Sequence, residues 1–276
     1  MRRRSCGRLF CLPIARAQWY NQRVARERVY RTEAVVLKRR DQGEADRILT
    51  IFTPGLGKLR VNAKGARKPS SRKSGHVELF ARINLQLAKG RALDIVTQAE
   101  TLEAFAPIRE SLERTGAAYY LVELTERFTQ EADENLALYN LLLETLRALT
   151  VSPDLLLTLR FFELRLLSCA GYQPQLHLCV QGDEEIEPVE NYFDPVRGGV
   201  LCPAHGAGDE HARPLALNTL KALRYLQTQS YEDGLRLKLQ EATRRDVEAV
   251  LQRYITSILE RRLKSVEFMR ELRRGV

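Results

Sequence analysis

An α+β protein of two domains is what this sequence predicts: a small five-stranded antiparallel barrel or sandwich, then an all-helical domain carrying one long non-helical insertion. Three observations lead there. Five short strand-like runs crowd into residues 30–103, apolar residues switch to helical spacing after Pro107, and positive charge gathers in the first part of the chain. A length of 276 residues is enough for two buried cores.

The strand runs are "TEAVVLKRR", "DRILTIFTP", "KLRVNAKG", "VELFARINLQLAKG" and "ALDIVTQAE", separated by turn-forming breaks such as "DQGEA", "PGLG" and "KGRA". Leu79, Ala81, Ile83, Leu85 and Leu87 alternate with polar residues and therefore share one face of a strand. Five short strands in fewer than 80 residues match in number and size a Greek-key barrel of the oligonucleotide-binding type, the OB-fold, although strand count does not determine topology. This module spans 29–106 and follows a basic extension over 1–28, expected to be unstructured.

Helical periodicity fills 107–276. "IRESLERTGAAYYLVELTERFTQE" sets Leu112, Ala117, Tyr120, Leu121, Leu124 and Phe128 at spacings of mostly three and four. "NLALYNLLLETLRALT" and "PDLLLTLRFFELRLLSCAG" repeat that pattern, with Gly171 placed to end the third helix. "LALNTLKALRYLQTQ" and "ATRRDVEAVLQRYITSILERRLKS" complete a bundle. Between the third and fourth helices, 172–212 is rich in Gly, Pro and acids. A loop that long needs a local staple or remains disordered.

Lys and Arg number 44 against 35 Asp and Glu, a net charge of +9. Residues 1–28 and 29–107 each carry +7 and residues 108–276 carry −5. A chain polarised in this way is suited to meeting a polyanion with one end. Leu9 to Ala15 is too short an apolar run for a secretory signal, and no window of about 18 apolar residues offers a membrane span. Five cysteines at 6, 11, 169, 179 and 202 do not resemble a secreted disulfide framework, so a reducing cytoplasm is the expected compartment.

The densest charge lies in "NAKGARKPSSRKSG", where Lys64, Arg67, Lys68, Arg72 and Lys73 occur without an acid or a large apolar side chain. Read as a flexible connection projecting from the barrel, it is a candidate clamp for sugar–phosphate chains. Arg39, Arg40, Lys58 and Arg60 extend the positive track. Five phosphates neutralised on a single strand give a log–log salt slope of about −3.5. Phe52 and Phe80 sit in apolar runs and belong to the core, which leaves Tyr30 as the more exposed aromatic candidate and points to binding dominated by the phosphate backbone.

In the insertion, Cys179 precedes Gly182 by three residues and Cys202 precedes His205 by three, the spacing of two zinc-ligand turns. Cys179, Cys202 and His205 are three candidate ligands for one structural zinc ion. His177, Asp183, Cys169, His211 or water is left for the fourth place. The acids of "GDEEIEPVE" admit a second reading, a metal-dependent nuclease, but a solvated acidic edge suits a loop better. No P-loop or nucleophile motif is present.

Over 29–272 the chain resembles the bacterial RecO family of DNA repair and recombination proteins. "YRTEAVVLKRRDQGEADRILTIFTPGLGKLRVNAKGARK", "LLSCAGYQPQLHLC" and "YFDPVRGGVLCPAH" carry the resemblance. It implies an OB-fold, a helical domain and, in many members, a zinc module with four cysteines. Gly182 and His205 depart from that module. The resemblance also implies a nucleoid-associated, non-enzymatic mediator. Such a protein binds single- and double-stranded DNA, anneals complementary strands, contacts the tail of the single-strand binding protein SSB and, with RecR, helps RecA replace SSB. Arg160, Arg165, Arg224 and Arg245 on the helices are candidates to edge a groove for that tail.

Overall fold

A computed structural model of the chain describes residues 28–234, 236–260 and 263–274. The basic extension expected over 1–28 lies outside the described residues except for Arg28. Strands β1 (Val29–Gln42), β2 (Asp46–Thr53), β3 (Gly57–Ala63), β4 (Arg82–Ala88) and β5 (Asp94–Glu103) close a barrel in the order β1-β2-β3-β5-β4. An odd number of strands cannot close with antiparallel pairs alone. The exception is a short parallel pairing of β3 with β5, Val61 opposite Asp94 and Asn62 opposite Ile95. Strand parity fills the interior as expected, with Val36, Leu49, Ile51, Val61, Ile83, Leu85, Leu87 and Val96 all at 0% exposure.

The helical part comprises α1 (Ala106–Glu110), α2 (Leu112–Phe128), α3 (Leu136–Val151), α4 (Leu155–Cys169), α5 (Pro203–Gly206), α6 (Leu217–Thr228), α7 (Tyr231–Gly234), α8 (Glu241–Leu259) and α9 (Lys264–Arg274). Side chains of Ser111, Asn135 and Asp154 cap α2, α3 and α4 by accepting from the third residue onward. Gly171, at φ +80°, ends α4, and Tyr172 N–H returns to the Leu167 carbonyl at 2.7 Å. The final amphipathic stretch does not continue unbroken to residue 265. It stops at Leu259, where Glu260 takes a left-handed φ of 51°, and a separate helix begins at Lys264. Among the described residues, no helix is long and apolar enough to cross a membrane.

Strands β6 (Asn191–Asp194), β7 (Gly199–Leu201) and β8 (Arg213–Leu215) give the insertion a three-stranded sheet, ordered β7-β6-β8. Residue pattern alone marks this segment as non-helical and assigns it no strands. Runs of three or four residues carry too little alternation to register as strands.

Barrel and helices share packing. Val35, Leu37, Phe52 and Phe80 belong to the helical core, and the Phe52 and Tyr139 rings lie 6.0 Å apart. Each such buried side chain contributes about 1.5–3 kcal/mol. Polar contacts lock the same junction. Arg147 of α3 grips Glu103 of β5 through Nε at 2.8 Å and Nη2 at 2.5 Å, while Arg82 bridges Glu103 and Glu33. Hydrogen bonds from Arg147 and Arg82 outweigh partial burial and hold the Glu103 carboxyl down at about 2. The stability it adds is complete above the ordinary carboxylate pKa and is lost as pH falls from about 4.5 towards 2. Glu103→Gln is therefore expected to lower Tm by about 2–4 °C at pH 7, matching about 1 kcal/mol for a partly screened pair. That gap should close in a melting series taken down to pH 2.

Candidate nucleic-acid interface and candidate metal centre

The basic stretch is not a projecting flexible loop. Residues 64–77 fold back onto the barrel, and Ala66 and Val77, both fully buried, plug the barrel core. The small residues that suggested flexibility form consecutive turns and a short 3-10 segment over Ser74–His76. This cap fixes two of its five cations. Arg67 lies 3.3 Å from the Asp41 carboxylate and donates to the Gly43 carbonyl at 3.0 Å. Lys73 donates to the Val96 carbonyl of β5 at 3.0 Å. Lys64, Lys68 and Arg72 are exposed and, among the described residues, have no ion-pair partner.

The four strand cations separate in the same way. Lys58 does not join a surface track, because its ammonium turns into the junction and donates to the Glu126 carbonyl at 2.7 Å and to the Thr129 carbonyl. There it caps the C-terminal end of α2, where carbonyls lack helical partners and positive charge is favoured. Burial lowers its pKa despite Glu126 and Glu131. Arg39 is held at 2.5 Å by Glu78. Arg40 and Arg60 remain exposed with no ion-pair partner among the described residues. Strand register puts them on one outer face, Arg40 opposite Ile48 opposite Asn62, and Lys38 opposite Thr50 opposite Arg60. Lys38, next to the Arg39–Arg40 pair in sequence, was missed by the sequence reading although it shares that row.

Arg40 and Arg60 thus flank the face of β1–β3, Lys64 and Lys68 sit on the cap, and Arg72 opens onto a groove over β4 and β5 with Arg31, Lys73 and His76. Tyr30 is not a free platform. Its hydroxyl donates to Asp94 at 2.5 Å and the Lys89 ammonium lies 4.6 Å from its ring. All four helix arginines also turn inward or onto their own fold, Arg245 through Glu241 of its own helix at 3.0 Å. Arg160 is 4% exposed and paired with Glu163 at 2.7 Å, Arg165 donates to the Gln229 carbonyl, and Arg224 donates to Leu176 at 2.8 Å.

In the insertion, two turns converge. Cys179 opens a turn closed by Asp183 N–H to the Cys179 carbonyl and Cys179 N–H to the Glu184 carbonyl. Cys202 lies between β7 and α5, and its carbonyl accepts from His205 and Gly206 in α5. Ligand atoms of Cys179, Glu184, Cys202 and His205 all lie within 4.8 Å of one another. His205 Nδ1 is 3.5 Å from Cys179 Sγ, 3.3 Å from Cys202 Sγ and 3.1 Å from Glu184 Oε1. Ordinary zinc bond lengths give a tetrahedron with edges of about 3.3–3.8 Å; the three separations from His205 are close to these, and the group as a whole stays within 4.8 Å.

The fourth member is Glu184, not His177, Asp183, Cys169 or His211. A Cβ built on Gly182 would fall 2.1 Å from Glu184 Oε2 and 2.6 Å from His205 Cε1, so this carboxylate occupies the space a side chain at 182 would need. Glu184 was hidden in sequence within an acidic run. Contact with the Cys202 thiol is the main cause that holds the Glu184 carboxyl at about 2. Burial raises the Cys179 pKa, but N–H groups of Cys202, Gln181 and Gly182, with His205, bring it below the ordinary thiol value. Contact with Cys179 raises His205, and burial raises Cys202.

Comparison with known proteins agrees over both domains. A family model described as "Recombination protein O N terminal" matches residues 28–105, and one described as "Recombination protein O C terminal" matches 109–267. The chain belongs to the RecO family. It is 48% identical over 248 residues to the DNA repair protein RecO of Roseiflexus sp. (strain RS-1), covering 90% of this chain and 87% of that one. Its identity to the DNA repair protein RecO of Dehalococcoides mccartyi (strain BAV1) is 36% over 244 residues, 88% of this chain and 96% of that one. For that of Desulforudis audaxviator (strain MP104C) the identity is 38% over 244 residues, 88% and 97%. The five-stranded barrel followed by helices is thus the RecO architecture, and the Cys179–Glu184–Cys202–His205 group lies within the C-terminal match.

Proposed function

We propose that this RecO-family chain is a DNA-binding repair and recombination mediator that captures sugar–phosphate backbones on its barrel and anneals complementary strands. The observation that carries this is the presence of five exposed cations, Arg40, Arg60, Lys64, Lys68 and Arg72, with no ion-pair partner among the described residues. Such charges attract phosphate without reading bases. Relatives named as DNA repair proteins support the same reading. Its partners are single- and double-stranded DNA, RecR, the SSB tail and, through them, RecA, and it acts in the cytoplasm at the nucleoid. Domains at 29–106 and 107–276, with the insertion at 172–212, divide the work: DNA on the barrel, protein partners on the helices.

We further propose that Cys179, Glu184, Cys202 and His205 hold one zinc ion, which when bound cross-links the two turns of the insertion. The donor set favours this over nuclease chemistry, since it brings a single carboxylate to sulfur and imidazole ligands rather than several carboxylates around hard cations. Two complementary labelled strands with Mg²⁺ test the main reading. The protein is expected to bring them into duplex faster than they pair alone, at full length. Shortened strands, or no acceleration, would refute it.

A further inference from the structure

Between barrel and helical domain, where β1 passes α2 and α9, lies a cleft of about 530 Å³. Buried Leu37 and Val122 contribute to its lining, and two large rings open onto it, Tyr119 of α2 at 41% exposure and Phe268 of α9 at 36%. Neither ring is loose. Tyr119 stands edge-on to buried Phe80 with centroids 5.1 Å apart. Phe268 is carried on α9, whose first turn is tied to α2 by Glu123 accepting from Lys264 N–H at 3.1 Å and Ser265 N–H at 2.8 Å. Exposed rings on rigid elements cost little to hold ready for a flat ligand.

The rim is cationic, with Lys38, Arg39, Arg127 and Lys264 around it. Facing acids are Glu123, already used by α9 and 3.9 Å from Arg127, Glu126 paired with Lys38, and Glu78 paired with Arg39. These ion pairs are partly exposed, so a phosphate oxygen can replace the carboxylate. Lys38 lies in the same cross-strand row as Arg60, which makes the cleft continuous with the outer face of β1–β3.

We propose that this cleft is a base-stacking site for single-stranded DNA, in which Tyr119 and Phe268 receive unpaired bases of a strand whose phosphates run along Lys38 and Arg40. The inference rests on the DNA-binding reading above and deepens it. Backbone capture holds any strand, whereas stacking selects unpaired bases, as presentation for annealing requires. Aromatic faces beside a positive groove are the usual chemistry of sequence-tolerant strand binding.

The test compares oligo(dT) with an abasic oligomer of equal length and charge. The wild-type chain should bind the base-bearing strand about five- to tenfold more tightly at equal salt slope. Tyr119→Leu with Phe268→Leu should erase that advantage and leave the slope unchanged. Equal wild-type affinity for both oligomers overturns the stacking site and leaves backbone capture standing; binding to neither overturns the parent reading instead. Photo-crosslinking of a 5-iodouracil strand to the unaltered chain gives a check that does not depend on the variant folding. Adducts at Tyr119 or Phe268 are expected, and adducts only elsewhere overturn the proposal. An acidic peptide with an apolar end that binds the wild type but not the Leu pair, while the base advantage persists in that pair, would assign the cleft to a protein partner and overturn it too.

Discussion

Replacing Arg40, Arg60, Lys64, Lys68 and Arg72 together by Ala is expected to abolish most of the salt dependence of single-strand binding while leaving Tm almost unchanged. Five neutralised phosphates correspond to a slope of about −3.5, or about a hundredfold loss of affinity between 50 and 200 mM salt. None of the five forms an ion pair among the described residues, so each substitution should shift stability by no more than about 0.5 kcal/mol. A contrasting pair makes the result specific. Arg67 and Lys73 belong to the same basic stretch but anchor the cap to Asp41, Gly43 and Val96. Removing them should lower Tm and change the slope less than the five-site variant does. Lys58→Met should likewise destabilise the junction at α2 without altering the slope. Salt titrations by fluorescence anisotropy, with melting curves on the same samples, measure both quantities. A five-site variant that keeps the wild-type slope would exclude these cations from the interface.

Local pattern determines some of these positions and long-range contacts determine the others. Period-2 alternation located Ile83, Leu85 and Leu87 in the barrel, and apolar context placed Phe52 and Phe80 in the core, because those positions depend on local pattern alone. The role of Lys58 depends on carbonyls 68 and 71 residues away at the end of α2, which no local pattern reveals. In the basic stretch, the density of charge masks Ala66, a small residue that joins Val77, the first residue of the next apolar run, in plugging the barrel and makes a folded cap of a supposed projection. Glu184 was obscured differently. Spacing directs the eye to Gly182, but the backbone turn, with Asp183 at φ 59°, brings the carboxylate two residues later to the other donors. Tyr119 carries no signal either: it falls outside the apolar stripe through Tyr120, and only the position of the barrel sets its ring beside Phe80 at the mouth of the cleft.

The second large effect concerns the insertion. Purified protein is expected to carry one zinc ion per chain by elemental analysis, and stripping it with a chelator should lower Tm by about 10 °C. The three strands of the insertion are only three or four residues long, so bonds through Cys179, Glu184, Cys202 and His205 would supply much of what holds its turns together. Structural zinc contributes about 10–16 kcal/mol in isolated finger peptides. The insertion also packs Phe193, Val200 and Leu201 into the helical core. Loss of metal should therefore cost less here, about 3–5 kcal/mol, which corresponds to roughly 10 °C for a chain of this size. Cys202→Ser should reproduce the chelator effect, and Glu184→Gln should weaken zinc binding with a smaller fall in Tm. The steric relation at Gly182 provides a more selective test. Gly182→Cys alone would force its new side chain against the Glu184 carboxylate, only 2.1 Å from the added Cβ. Combined with Glu184→Gly, the same cysteine gains that space and should restore tight zinc binding with sulfur in place of oxygen. Rescue of Tm by the double variant but not by Gly182→Cys alone would identify Glu184 as the residue standing in for the missing thiolate. Equal zinc content in wild type, Cys202→Ser and Glu184→Gln would show that these four side chains are held by packing and hydrogen bonds alone.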